Sequence, residues 1–348
     1  MTFSHSSIEI VSLGIIVAFI KSRKSQRFPT SIPVYKESSV DSENSLHYQG
    51  RWLKVMREHF LDRPFWYRQA LRTVHSLPPT VTYVLARCVA GFAYLLSSQD
   101  RRHVSHNFDR IFEGCNLPVN RKLLLWRFFQ NYGIYVADFF RLLSMTLEES
   151  QAFAGLYQGR HHIDEALEGG KGAVLLTAHL GHWEIGGLGL RAMGYPVNVV
   201  ALKHNTTFTN ALINAMRMRH GIRVIEVEES AYGAIELVKA LNRNEVVAVL
   251  GDRVFAADKS EFTIFFNRPV QLPVGPVLLA MAARAPIVPA FSIMEAPGRY
   301  RGIAESPLKL KYGPNRKEAL QYNLREVAEV FEKYIRRFPD QWYIVDPL

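Results

Sequence analysis

The side chains best suited to chemistry lie together in Thr177-Ala178-His179-Leu180-Gly181-His182-Trp183-Glu184. This stretch begins where the short apolar run Val174 to Thr177, a predicted strand, ends. In open α/β sheets ligands gather at the carboxyl ends of strands, which places His179 where reactive groups collect. Gly181 permits a tight turn into the next helix. The spacing His179-x4-Glu184 sets a carboxylate about a turn away. It can hold the imidazole in one tautomer and stabilise the imidazolium formed when the other nitrogen takes a proton from a hydroxyl. The substrate then supplies the nucleophile. No Gly-x-Ser-x-Gly elbow points to a covalent acyl-enzyme. Two other readings compete. His179, His182 and Glu184 could be metal ligands, although no further histidine or cysteine cluster completes a set, and the expectation is no metal. They could also be structural histidines, since two residues at a fixed gap recur by chance.

Elements that would position these groups are visible in the apolar patterning. After Gly169-Gly170, the runs Ala173 to Thr177, Val197 to Leu202, Val224 to Val227, Val246 to Leu250 and Ile287 to Ile293 read as buried strands. Helical segments separate them at about Thr207 to His220, Ala231 to Asn242 and Val274 to Ala283. This alternation predicts an α/β fold, a central mostly parallel sheet flanked by helices on both faces. Upstream, about Pro118 to Ser144 carries Leu124, Phe128, Tyr132, Tyr135 and Phe139 at helical intervals. Gly186-Gly187-Leu188-Gly189 lies within a helical segment rather than opening one, so it is not a nucleotide loop.

The 348 residues are 48% apolar and 21% charged, enough to bury a large core, and 42 Lys and Arg against 32 Asp and Glu favour an anionic partner, lipid or nucleic acid. Cys88 and Cys115 form neither a zinc nor a redox motif, so a reducing compartment is expected. Ile8 to Ile20 is apolar apart from Glu9 and Ser12 and is followed by Lys21, Arg23, Lys24 and Arg27. It falls short of the ~20 residues that span hydrocarbon, which leaves a short anchor, an interfacial helix or a plain tail. The expected organisation is 1–27 a membrane anchor or interfacial segment, 28–50 a linker, and 51–348 the catalytic unit. Within that unit 51–150 is helical and membrane-proximal, and 151–348 is the α/β core. From Arg51 to Ser98, Trp52, Phe60, Phe65, Trp66 and Tyr67 interleave with arginines, the composition of helices at a headgroup layer or of a solvated basic face.

Further motifs occur in order along the chain. They are Asn107-Phe108, Phe129-Gln130-Asn131-Tyr132-Gly133 with Asp138-Phe139, His179 to Glu184, Asn205 with Arg217 and Gly221, and Gly251-Asp252. Phe265-Phe266-Asn267-Arg268-Pro269, Pro273-x-Gly275-Pro276, Ala285-Pro286-x-Val288-Pro289 and Pro339-x-Gln341-Trp342 follow. With these, residues from about Leu71 to Trp342 resemble the bacterial lipid A late acyltransferase family, within the lysophospholipid acyltransferase superfamily. The resemblance implies a glycerolipid-acyltransferase-like fold with N-terminal helices for membrane association. It implies His179 as general base and Glu184 as its orienting partner. Arg217 would lie near the dyad for an oxyanion or a substrate phosphate. Asp252 would position the acceptor or cap a strand, Arg268 would contact phosphate, and Asn205 would complete the substrate-binding set. The resemblance further implies no bound cofactor, with acyl-acyl carrier protein or acyl-CoA as co-substrate. The partners it implies are a membrane lipid acceptor, acyl carrier protein and the membrane surface, but no nucleic acid. The expected location is the cytoplasmic face of the inner membrane.

Four departures mark this chain within the resemblance. Arg253 stands where Gln is usual, His182 where Asn is usual and Asn267 where Gly is usual, and the Asn205 to Arg217 spacing is one residue longer. The expected reaction is transfer of an acyl chain to a hydroxyl of a lipid A precursor. Its rivals are an acyltransferase for another lysophospholipid, glycolipid or aminolipid, and a non-enzymatic basic membrane-associated binding protein.

Overall fold

The computed structural model describes residues 64–115, 120–202, 208–227, 231–254 and 259–347. The apolar segment Ile8 to Ile20, the linker 28–50 and Asn205 lie outside these residues. Among the described residues five helices come first: α1 (Pro64–Ser76), α2 (Pro79–Leu96), α3 (Ser98–Ile111), α4 (Arg121–Leu142) and α5 (Leu147–Ala154). The chain then alternates through β1 (Tyr157–Gln158), α6 (His161–Glu168), β2 (Ala173–Thr177), α7 (Trp183–Ala192), β3 (Val197–Leu202), α8 (Phe208–Arg219), β4 (Arg223–Val227), α9 (Ala231–Asn242) and β5 (Val246–Leu250). A hairpin of β6 (Ser260–Phe265) and β7 (Arg268–Pro273) precedes α10 (Gly275–Ala283), β8 (Ile287–Ala296), β9 (Arg299–Ala304) and α11 (Arg316–Arg337). Local chemistry sets several boundaries. Asn120 caps α4 by accepting from the Leu123 N–H at 3.1 Å, and Thr146 with Glu149 closes a reciprocal capping box on α5.

Seven strands form one sheet in the order β1-β9-β8-β2-β5-β3-β4, parallel except where β8 meets β9. Alternate residues of β2 enter two different cores. Val174 and Leu176 face the aromatic side chains of α4 together with α10 and α11, while Ala173 and Leu175 face α7. Both sides of the central strands are therefore dry, which is why they read as unbroken apolar runs.

The predicted α/β fold is the one observed, and the expected strands fall on β2, β3, β4, β5 and β8. The patterning did not reveal the β6–β7 hairpin. Its two-residue turn, Phe266-Asn267, has φ of 50° and 62°. Phenylalanine is a poor left-handed residue, so the turn carries no signal in its composition. Tertiary contacts hold it there: the Phe266 N–H donates to Glu332 Oε1 at 2.8 Å, and Phe265 and Phe266 are fully buried with their rings beside Trp342. Asn267, at a place where glycine is usual, is the side chain that tolerates this conformation best after glycine.

Candidate active site

The register of two neighbouring strands creates the central contact. β2 and β5 run parallel with Thr177 opposite Leu250, and the Gly251 N–H donates to the Thr177 carbonyl at 2.9 Å. His179 and Asp252 each lie two residues beyond those strand ends, so the two side chains meet. Asp252 Oδ1 is 2.8 Å from His179 Nδ1, and Asp252 Oδ2 accepts from the His179 backbone N–H at 2.9 Å and from Trp342 Nε1 at 2.8 Å. Every oxygen of this buried carboxylate that faces the site is engaged. Burial alone would raise the Asp252 pKa. The neighbouring imidazole and the three hydrogen bonds outweigh burial and hold the carboxyl below its usual range. Nδ1 is thereby fixed as a donor, and Nε2 is left for a substrate.

Here the structure corrects the expected dyad. Glu184, in the first turn of α7, does not hold His179. Its two oxygens accept from Arg217 of α8, from Nη2 at 2.5 Å and Nε at 2.9 Å. The side chains are 7% and 11% exposed, so this is an interior ion pair. The Arg217 pKa is raised: burial works against the charged guanidinium, but the Glu184 carboxylate prevails. Arg217 thus lies beside Glu184, with Nη1 directed to Asn214 at 3.2 Å. Asp252, expected to position an acceptor, is instead the partner of the histidine.

The loop carrying His179 is clamped along its length. Gly181 has φ of +66°, and a Cβ there would lie 1.9 Å from the Ser292 carbonyl oxygen, so no other residue fits. The Gly181 N–H donates to Gln341 O, the His182 N–H to Ser292 O, and the Tyr343 N–H to His179 O, all within 2.8–2.9 Å. Gln341 also bonds both backbone groups of Met294 at 2.9 Å, which ties the C-terminal segment to β8. Asn107 and Asn131 reach the same segment, donating to the carbonyls of Ile344, Asp346 and Asp340. Asn107, Asn131 and Gln341, drawn from three of the dispersed motifs, are among these clamps.

His182 is fully buried against the rings of Tyr135, 4.4 Å away, and Tyr300 at 5.6 Å. Burial lowers its pKa to about 3, so the ring stays neutral. Its folded value lies below the unfolded 6.5, hence the unfolded chain binds the extra proton and stability falls as pH drops through that range. Between pH 7.5 and 5.5 this group costs about 1.4 kcal/mol. Urea unfolding of the chain and of His182→Asn at both pH values is expected to show that difference in the parent only. Parallel pH slopes would refute it.

The remaining expected residues sit elsewhere. Arg268 opens β7 half-exposed, and its hydrogen bonds go to Glu113 on the surface, at 2.8 and 3.0 Å. Arg253, the added cation next to Asp252, pairs with Asp346 at 2.5 Å. His179, His182 and Glu184 do not converge as metal ligands. Among the described residues the metal-capable group is His161, His162 and Glu165 on the outside of α6. An apolar cleft runs between α7 and the sheet, lined by Trp183, whose ring is 5.2 Å from that of His179. Gly187, Val199, Val249 and Leu250 also line it, and Thr177, Glu184, Arg217 and Ser292 contribute its polar part.

A histidine held by a buried aspartate at the carboxyl edge of a doubly covered sheet defines this molecule as an α/β enzyme. The chain belongs to the bacterial lipid A biosynthesis acyltransferase family, whose sequence model matches residues 55–348, and it is an acyltransferase. Among its relatives, a phosphatidylinositol mannoside acyltransferase of Mycobacterium tuberculosis is 27% identical over 229 residues, 63% of this chain and 67% of the relative. A protein of the same name from Mycolicibacterium smegmatis is 25% identical over 187 residues, 53% of this chain and 59% of the relative. A lipid A biosynthesis acyltransferase of Haemophilus influenzae is 23% identical over 197 residues, covering 56% and 58% of the two chains. The pairing of Asp252 with His179, rather than Asp252 itself, was missed in the sequence, and it had a signal: both predicted strands Ala173 to Thr177 and Val246 to Leu250 are followed, at the same offset, by a residue capable of chemistry.

Proposed function

We propose that this chain transfers a fatty acyl group from an acyl thioester to a hydroxyl of a membrane glycolipid, with a lipid A precursor as acceptor. The observation that carries the reading is the His179–Asp252 pair just beyond the ends of β2 and β5, whose last residues, Thr177 and Leu250, line the apolar cleft. A hydroxyl is a weak nucleophile at neutral pH. His179 Nε2 removes its proton as the oxygen attacks the thioester carbonyl, and Asp252 holds Nδ1–H and stabilises the imidazolium. The tetrahedral intermediate collapses by breaking the C–S bond, and the thiolate leaves with the proton held on Nε2. The products are an ester and a free thiol. The donor is acyl carrier protein or coenzyme A, and the basic surface of the chain suits the acidic carrier protein. No bound cofactor enters these steps.

In this reading the Glu184–Arg217 pair is a positioning element. Arg217 spends its fork on Glu184, so the pair offers the cleft a polar wall with little net charge. A phosphatidylinositol mannoside, the acceptor in the names of the mycobacterial relatives, is the second reading, because the histidine–aspartate chemistry is indifferent to which sugar hydroxyl is presented. The test is incubation of the purified full chain with acyl carrier protein or CoA thioesters and either lipid, read by mass spectrometry. Gain of one acyl mass on the lipid A precursor is expected; gain only on the mannoside installs the second reading, and no ester on any hydroxyl lipid overturns acyl transfer.

The cleft also predicts chain-length control. At Gly187 an added Cβ meets only Ile222 Cδ1, at 3.9 Å, so a larger side chain would project into the space Gly187 lines. Gly187→Leu is expected to cut the use of long acyl donors relative to short ones by about tenfold or more, since two excluded methylenes are worth ~1.6 kcal/mol. An unchanged donor profile would place the acyl chain elsewhere.

A further inference from the structure

Two hydroxyls in the apolar cleft are left without partners by the protein. Ser292, on β8, is 2% exposed, and its Oγ makes no hydrogen bond among the described residues. The Ser292 carbonyl is already used, accepting from the His182 N–H at 2.8 Å, so it is the side chain that has no assignment. Tyr157, on β1, lines the same cleft, and its hydroxyl makes no hydrogen bond among these residues either. Both hydroxyls border the space beside Gly186: a Cβ built there would lie 3.9 Å from Ser292 Oγ and 3.9 Å from the Tyr157 oxygen.

Two glycines keep this arrangement open. Gly302 of β9, the register partner of Tyr157, makes room for the phenol, because a Cβ there would overlap the Tyr157 ring. Gly186 leaves the facing surface of α7 bare, where a Cβ would come within 3.2 Å of Ser292 Cβ. Burial raises the Tyr157 pKa, and Tyr195 adds to the rise, so the phenol stays protonated at neutral pH and can both donate and accept. A buried hydroxyl without a partner costs free energy until a ligand supplies one.

What fits the space follows from its surroundings. Ala290, two residues before Ser292 on the same face of β8, and Leu190, one turn beyond Gly186 on α7, make the neighbouring wall apolar. The charged groups of the cleft, Glu184 and Arg217, are bonded to each other, so an ionic ligand would find no free counter-ion. A sugar would bring more hydroxyls than two partners can satisfy. An apolar chain bearing one hydroxyl matches both the wall and the pair.

We infer that Tyr157 and Ser292 form a subsite for a hydroxyl on the donor's acyl chain, so that the cleft selects hydroxyacyl over unsubstituted acyl thioesters. The inference rests on the proposed acyl transfer for the identity of the donor. Trp183, whose ring is 5.2 Å from that of His179, opens α7, and Gly186 follows about 4.5 Å along the helix. A chain whose carbonyl meets His179 therefore brings its first carbons, not its tail, to the pair.

The test needs no reaction. The purified full chain is titrated with dodecanoate and with its monohydroxy isomers, substituted at successive carbons from the second to the sixth, by displacement of a fluorescent fatty acid. At least one isomer is expected to bind about fivefold or more tightly than dodecanoate. In Tyr157→Phe with Ser292→Ala, which removes only the two oxygens, that isomer should bind no better than dodecanoate, because its hydroxyl is then buried alone. Should the double variant fail to fold, Ser292→Ala by itself is expected to lose at least about twofold of the preference. Equal or absent binding of all the acids by the parent would mean that the hydroxyls hold ordered water only, and the inference fails. It fails equally if the preference survives in the variants, since other groups then select the hydroxyl. A hydroxyacid preference with no ester formed on any lipid would sink the proposed reaction and leave the subsite. Ester formation by a chain that binds all the acids equally would do the reverse.

Discussion

Asp252→Asn is expected to lower kcat by about 10³–10⁴-fold while the fold persists. The argument rests on which donors surround the carboxylate. Oδ2 accepts two hydrogen bonds whose donors cannot reverse, the His179 backbone N–H and Trp342 Nε1–H. In the variant the amide oxygen must take that place, so the NH2 group is forced against His179 Nδ1. Nδ1 then has to accept, the imidazole proton moves to Nε2, and the base is lost in its tautomer rather than in its position. Circular dichroism and urea unfolding close to the parent would show that the protein is folded, and kcat falls to the level set by His179→Ala. Glu184→Gln is the discriminating control. Because Glu184 is bonded to Arg217 and not to the imidazole, its kcat should remain within about tenfold of the parent. Equal losses in the two variants would restore Glu184 as the orienting group.

This contrast explains why the local reading chose the wrong carboxylate. Glu184 is five positions along the chain from His179 and Asp252 is 73, and a spacing argument sees only the first. Gly181 decides the matter physically: its left-handed backbone and the clamps to Ser292 and Gln341 turn the chain, so that Glu184, in the first turn of α7, faces α8. The strands β2 and β5 were legible because burial on both faces leaves unbroken apolar runs. Their adjacency was not, since β3 and β4 come between them in the chain and only the sheet order reveals that they pair. The C-terminal Gln341-Trp342 was visible as a motif without a role. Its work, one amide on Met294 and one indole on Asp252, joins segments whose proximity no periodicity reports. Arg268 shows the converse: a cation beside an aromatic pair suggested phosphate contact, yet the left-handed Phe266-Asn267 turn buries the rings and leaves the guanidinium outside with Glu113.

Arg217→Met should cost about 3–5 kcal/mol of stability, far more than loss of a surface ion pair. The methionine fills similar space but leaves Glu184, 7% exposed, as an unpaired charge in an apolar wall. Adding Glu184→Leu to the same chain removes the stranded charge. The double variant is then expected to recover most of the deficit, because the desolvation cost of both ions disappears along with their attraction. Urea unfolding of the four chains of the cycle at pH 7.5 measures both the loss and the recovery. A single-variant loss below about 1 kcal/mol would mean the pair behaves as a solvated one. It could not then fix α7 to α8 as the wall of an apolar cleft, and the positioning role assigned to Arg217 would have to be abandoned.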